Sequence, residues 1–351
     1  GIRLMAYSTI PKGSLYMNTV LYSGTGSEHT ISGVSFQPDM TWLKSRTNSQ
    51  PHMISDAVRG GNKQIYPNDS GAETSYSQYL KSFNSDGFVL GTDGGINASG
   101  QTYASWNWKA NGQGSANTDG SINTTYTSVN TTAGFSISKY TGNGTNGATV
   151  GHGLGVIPDT VWIKRLSNAD GMICYHSGLG NAASVKFDRT DYSTGNFWNS
   201  TTPTNQVVSM TNSTECNYDS SNDYVMYAFA EKQGFSKFGR YYANGSSNGT
   251  LTYTGFKPSF IIIKDVSGTR SWIMVDNKRN TFNVVNNRLF CDAADAQNTA
   301  VDALDFLSNG FKIRSSNSSV GENTHTYIYF AFASNPFVAT SGTTAVPVTA
   351  E

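Results

Sequence analysis

Three stretches of the chain share one pattern of apolar and polar positions: PDMTWLK at 38–44, PDTVWIK at 158–164 and PSFIIIK at 258–264. Successive side chains of a strand point to opposite faces, so in the third copy Phe260, Ile262 and Lys264 fall on one face and Ile261 and Ile263 on the other. Both faces are apolar, which predicts a strand buried on both sides. The proline stands at the start, where its missing N–H removes no ladder bond. The turn-like runs SRTNSQ, RLSNADG and DVSGTR follow, and the apolar MICYH and SWIMVD after them pair back as hairpins. TYASWNW, YVMYAF and TYIYFAF alternate aromatic and small residues and predict strands, as do DGFVLG at 86–91 and NGFKIR at 309–314, each entered through a glycine turn. The one helical candidate, DAADAQNTAVDALDFL at 292–307, is expected to hold no more than a turn or two.

These stretches sit in frames that repeat. Tyr22 opens YSGTG, Tyr140 opens YTGNG and Tyr242 opens YANGS upstream of Pro38, Pro158 and Pro258. Asp56, His176 and Asp276 lie at one fixed distance after those prolines, and Tyr103, Tyr224 and Tyr327 open the last apolar run of each frame. Registered landmarks three times over mean an internal repeat. The units run from 18 to 110, 134 to 231 and 235 to 334, with a polar tract at 111–133 read as a linker, a short junction EKQGF, and an exposed tail at 335–351. With about six to eight short strands per unit, the expected fold is all-β: three tandem small antiparallel β-sandwiches of jelly-roll-like form.

Composition narrows the function. At 351 residues two or three domains are expected. Charged residues are 14% of the chain and balance at 24 basic against 24 acidic, which gives no footprint for a nucleic-acid backbone or an anionic membrane. No long apolar run predicts membrane insertion, and no signal peptide is readable. Cys174, Cys216 and Cys291 cannot all pair and lack a metal-binding spacing, so free buried thiols are expected.

The opening MAYSTIPKGSLYMNTVLYSGTG, with FQPDMTWLKSR, DAVRG, SDGFVLG and TYASWNWKANG, resembles repeats of virion proteins of tailed bacteriophages, especially those of marine bacteria. The second unit, AGFSISKYTGNGTNGATVGHGLGVIPDTVWIK, resembles a domain that recurs in phage tail and fibre proteins, and GSANTDGSINTTYTSVNTTAGFS resembles the joint between the two. The third unit departs, lacking HGLG and carrying PSFIIIK. The resemblance implies a marine-phage tail or fibre protein built of β-sandwich modules, and it implies no catalytic set.

Scaffold demands repeat and function need not, so the repeated positions read as structure. Trp42 and Trp162 give way to Ile262, which packs but cannot stack on a sugar. Lys44, Lys164 and Lys264 are expected to cover apolar surface with their stems and reach water. Asp56 with Arg59, and Asp276 with Arg279, predict local ion pairs. One carboxylate per unit does not make the pair that glycoside hydrolysis needs. His152 in GHGLG belongs to a turn, and His29, His52 and His325 lack metal spacing. TDGG at 92–95 and NDSG at 68–71 could offer oxygens to calcium but read as turns. Aromatics that do not repeat are the site candidates: Tyr192 and Trp198 in the second unit, Tyr76 and Tyr79 in the first, for stacking on a glycan.

The expectation is a non-enzymatic virion protein without cofactor or metal, a tail fibre or receptor-binding adhesin that meets host-surface glycan and other virion proteins. A homotrimer or a single-chain pseudo-symmetric monomer would suit it. It would be made in the host cytoplasm and carried on the virion. A purely structural virion protein and a polysaccharide depolymerase are the alternatives.

Overall fold

The computed structural model describes residues 8–193, 195–299 and 303–336, together with short backbone pieces of the tail. Each unit has an inner sheet built on its proline strand. In the first unit this sheet runs Met17–Ser23, Thr102–Trp108, Met40–Ser45, Met53–Asp56. In the third it runs Ser236–Tyr242, Thr326–Phe332, Phe260–Asp265, Ile273–Asp276, Leu289–Phe290. The second unit repeats the order with Phe135–Thr141, Asp223–Phe229, Thr160–Arg165 and Ile173–His176. The proline strand therefore lies between the closing strand and its own hairpin partner, inside the sheet, and every residue of all three copies is buried.

An outer sheet faces each inner one. It contains His29–Ile31, Gly87–Leu90 and Leu80–Asn84 in the first unit, and Leu251–Tyr253, Gly310–Ile313 and Leu304–Leu307 in the third. In the second, among the described residues, it contains Ala148–Gly151 and Val207–Met210 alone. The first inner strand pairs with the last, and the first outer strand pairs with the strand after the turn, all antiparallel. This nested wrapping gives each sandwich its jelly-roll character. Gly87 and Gly310 enter their strands against the carbonyls of Ile31 and Thr252, where a Cβ would collide with backbone.

The two faces of the inner sheets serve different cores. Leu43, the pair Val161 and Ile163, and the pair Ile261 and Ile263 fill the three separate sandwich interiors. Trp42, Trp162 and Ile262 point the other way into one central cluster shared by all units, with Trp106, Trp108, Phe229, Phe330 and Phe332. The alternation read in PSFIIIK is thus a choice between a private core and a common one. Trp42 and Trp162 meet edge to face at 6.0 Å.

The contacts around this centre run head to tail and close after three steps. Asp56 of the first unit accepts from Tyr227 Oη of the second at 2.6 Å, and His176 of the second lies against Tyr329 O (3.2 Å) and the Phe330 ring (4.9 Å) of the third. Asp276 of the third accepts from Trp106 Nε1 of the first at 3.1 Å. Tyr227, Trp106 and Phe330 occupy one position of the closing strand. Where the partner is a donor the repeated residue is an acid, and where it is a hydrocarbon ring the residue is a neutral imidazole. Such heterologous contacts closing by threefold rotation make a ring, here inside one chain.

Several expectations need correction. Lys44, Lys164 and Lys264 do not reach water. Each is buried and donates to a carbonyl of the preceding unit around the ring: Lys44 to Ala294 O (3.1 Å), Lys164 to Asp69 O (2.9 Å) and Lys264 to Thr190 O (2.5 Å). Burial pulls all three ammonium groups down to about 8. The expected Asp56–Arg59 and Asp276–Arg279 ion pairs do form, each at 2.6 Å, and both are fully buried. In the second unit Leu179 stands where the arginine would be.

The tract at 111–133, read as a linker, lies along the second unit. Thr124–Asn130 adds a strand to the outside of Phe135–Thr141, and Ile122 bridges Val150, so the tract covers one edge of each sheet of the second unit. The third tyrosine landmark is also shifted by one: the stacked pairs are Tyr22 with Tyr103, Tyr140 with Tyr224, and Tyr241 with Tyr327, at 5.1, 5.3 and 5.0 Å. Tyr242 is exposed instead. Within 292–307 the described residues hold the strand Leu304–Leu307 and no helix. Most of the predicted tail lies outside the described residues. Among the described residues no helix is long and apolar enough to cross a membrane.

Candidate functional site

The PD element is a backbone device. Asp39 accepts from the N–H groups of Ala110 (2.6 Å) and Gly112 (3.0 Å), and Asp159 from that of Glu231 (2.7 Å), each catching the chain as it leaves the closing strand. In the third unit Ser259 Oγ donates to Phe332 O instead. The three cysteines are free and buried, and His152 holds its own turn by accepting from the Leu154 N–H at 3.2 Å.

The four aromatic candidates separate. Trp198 is fully buried, edge-on to Tyr175 at 5.6 Å, and is no surface ring. Among the described residues the second outer sheet has no counterpart of the third strand that supplies Leu80 to the first core and Leu304 and Phe306 to the third. Phe197 and Trp198 fill that place in the second core. Here a residue that does not repeat compensates for a scaffold element that does not repeat. Tyr192 is 41% exposed and opposite Val185 in a two-residue ladder.

Tyr76 and Tyr79 do meet, edge to face at 5.4 Å, beside a cleft of about 520 Å³ on the first unit. Tyr79 lines it with Tyr66, Thr74, Glu73, Asp93 and Gln50. A short ladder, Lys63–Gln64 against Thr74–Ser75, holds one wall. The loop at its tip is pinned to the second unit, with Glu73 N donating to Leu166 O (3.0 Å) and Asp170 N to Ser70 O (2.7 Å). The site is therefore preorganised by the junction of two units.

The hydroxyls of Tyr66, Thr74 and Tyr79 form a triangle with sides of 2.8, 3.2 and 3.3 Å. Burial raises the Tyr66 phenol, which keeps it a neutral donor and acceptor. The two turn motifs set aside as calcium candidates converge here: Asp69 and Gly71 come from NDSG, Asp93 and Gly95 from TDGG. Asp93 caps the one-turn helix Gly94–Asn97 by accepting from Gly95 N at 2.9 Å. Burial pushes its carboxyl up, opposed by that same hydrogen bond. Glu73 is held by Arg59 at 2.8 Å and Lys63 at 3.2 Å. Sequence reading found Tyr79 and missed Tyr66 and Thr74, whose convergence depends on the ladder folding back.

A second cluster joins residues distant in sequence: Asp265, Glu322 and His325 place their ligand atoms within 4.8 Å of one another. His325 Nδ1 is 2.9 Å from Asp265, and Arg270 takes Glu322 at 3.0 Å, so the group is satisfied within the protein.

The chain belongs to the family described as Domain of unknown function (DUF7483), whose family model matches residues 12–336. No curated protein matches the chain.

Proposed function

We propose that this protein is a non-enzymatic recognition protein, a phage tail fibre or receptor-binding adhesin, and that the cleft of its first unit takes a sugar of the host surface. The observation that carries this reading is the wall of Tyr66 and Tyr79 beside the Tyr66–Thr74–Tyr79 hydroxyl triangle. Amphipathic rings cover the apolar face of a pyranose while their hydroxyls, with Thr74 and Gln50, exchange hydrogen bonds with its hydroxyl groups. A cleft of about 520 Å³ has room for a mono- or disaccharide. The virion assignment rests on the sequence resemblance.

A glycan array with the purified chain tests the reading, paired with binding to host envelope preparations. Tyr79→Ala is expected to weaken the strongest array signal by about tenfold or more, because stacking and a hydroxyl contact go together. Failure of the native chain to bind any glycan or envelope overturns the proposal.

Polysaccharide cleavage is a second reading, favoured by one observation: the ion-paired Glu73 and the desolvated Asp93 share the cleft, and two carboxyl groups of unlike environment are what acid and base roles require. Release of reducing ends from a bound polysaccharide, abolished by Asp93→Asn, would establish it in place of simple binding.

A further inference from the structure

The lining of the cleft is lopsided in charge. Asp69, Glu73 and Asp93 line it, and no lysine, arginine or histidine does. Among the described residues Glu73 is the one of the three that makes ion pairs, with Arg59 and Lys63. Asp93 gives one oxygen to the Gly95 N–H, and Asp69 gives one to the Gly71 N–H at 2.5 Å. The buried Lys164 ammonium lies against Asp69, donating to its carbonyl at 2.9 Å, whereas Asp93 has no ion-pair partner among the described residues. The rings of Tyr66 and Tyr79 line the same cleft, and an aromatic ring offers a cation its negative quadrupole face.

We infer that, among saccharides, the cleft selects those bearing a free amine, a hexosamine unit whose ammonium lies between Asp93 and the tyrosine rings, and discriminates against uronic or sulfated sugars. This inference rests on the glycan-binding reading of the same cleft. A carboxylate or sulfate entering beside Asp93 would meet no cation paired to that residue among the described residues, and like charges brought together in a partly desolvated cleft repel. An ammonium meets the opposite situation. It gains a charge-assisted hydrogen bond to Asp93 and a cation–π contact to a ring, groups already held in place. Burial of Asp93 fits this, since a carboxyl taken out of water without a counter-ion is stabilised by one that arrives with the ligand. The cap at Gly94–Asn97 fixes its position beforehand.

The test is titration calorimetry of the full chain with glucosamine oligomers carrying free amines, with their N-acetylated counterparts, and with oligogalacturonate, at pH 6 and two salt concentrations. The expected order has the amine-bearing oligomer about tenfold tighter than the acetylated one. That preference should shrink in high salt, and no binding of the uronate is expected. Asp93→Asn keeps the capping oxygen, so the fold should persist, while the amine-bearing oligomer drops to the level of the acetylated one. Equal binding of amine and acetyl oligomers, or a preference that survives Asp93→Asn, overturns the inference and leaves the glycan reading standing. Tighter binding of the uronate overturns it in the same way. Binding of none of these sugars, together with a blank glycan array, overturns both.

Discussion

At the scale of single residues, burial decides the role of most positions that repeat. Asp56 is held by Arg59 and the Tyr227 hydroxyl. Tyr227→Phe removes one donor from a buried carboxylate and is expected to cost about 1–3 kcal/mol, read as a shift in denaturant midpoint with unchanged slope. Trp198→Ala should cost about 3–5 kcal/mol by opening the second core, while leaving glycan binding at the first unit unchanged. The neutral histidines give an acid limit. In His176 the Nδ1 atom accepts from Gly178 N–H and Nε2 donates to Tyr329 O, and burial lowers the ring to about 4 from an ordinary 6.5. His52, which accepts from Trp42 Nε1, is likewise lowered well below its ordinary value by burial. The unfolded chain then binds the extra protons, so stability is full above about 6.5 and is lost as pH falls towards 4. The buried lysines act at the other end. Folded near 8 against 10.5 when free, they bind fewer protons than the unfolded chain between those values, and stability rises with pH there. Tyr22, Tyr140 and Tyr241, raised by burial above 10.0, reverse the trend once unfolded tyrosines ionise. Melting temperature measured from pH 4 to 11 should therefore fall steeply on the acid side and peak between about 8 and 10.

At the scale of elements, the three opening strands share a fold and differ in their edges. Phe135–Thr141 has Thr124–Asn130 on one side and the closing strand on the other, whereas Ser236–Tyr242 pairs only with Thr326–Phe332 among the described strands. Hydrogen exchange should show the outward amides of 236–242 opening much faster than those of 135–141. Equal protection would contradict the unpaired edge. The same comparison shows what the sequence could disclose. The proline strands were legible because their apolar alternation, buried on two sides, depends on the residues themselves. The strand Thr124–Asn130 was not, since TTYTSVN has too little apolar content to announce burial and is ordered by a ladder supplied by its neighbour. The lysines were misread for a related reason: a strand-end Lys looks alike whether the next thing it meets is water or another unit's carbonyls. Trp198 shows the limit of reasoning from repeats, because its place was vacated by a missing outer strand. In the cleft, Tyr79 stood out as a ring in a polar loop, while Tyr66 and Asp93 joined it only through the fold.

At the scale of the whole molecule, each inner sheet depends on the other two. Its central face carries Trp106, Trp162 or Phe330 into a core that no unit can enclose alone. Calorimetry is expected to give one cooperative transition for the full chain. The excised segment 134–231 should expose that face and bind a hydrophobic dye or self-associate; a monomeric, dye-negative 134–231 would refute the shared core. Rings of this kind made from separate subunits fall apart when their concentration drops below the dissociation constant. Here the three seats are joined by peptide bonds, so closing the ring carries no concentration term. Its melting temperature should be the same at nanomolar as at micromolar protein, and a single copy released into a large volume of water would keep its cleft assembled.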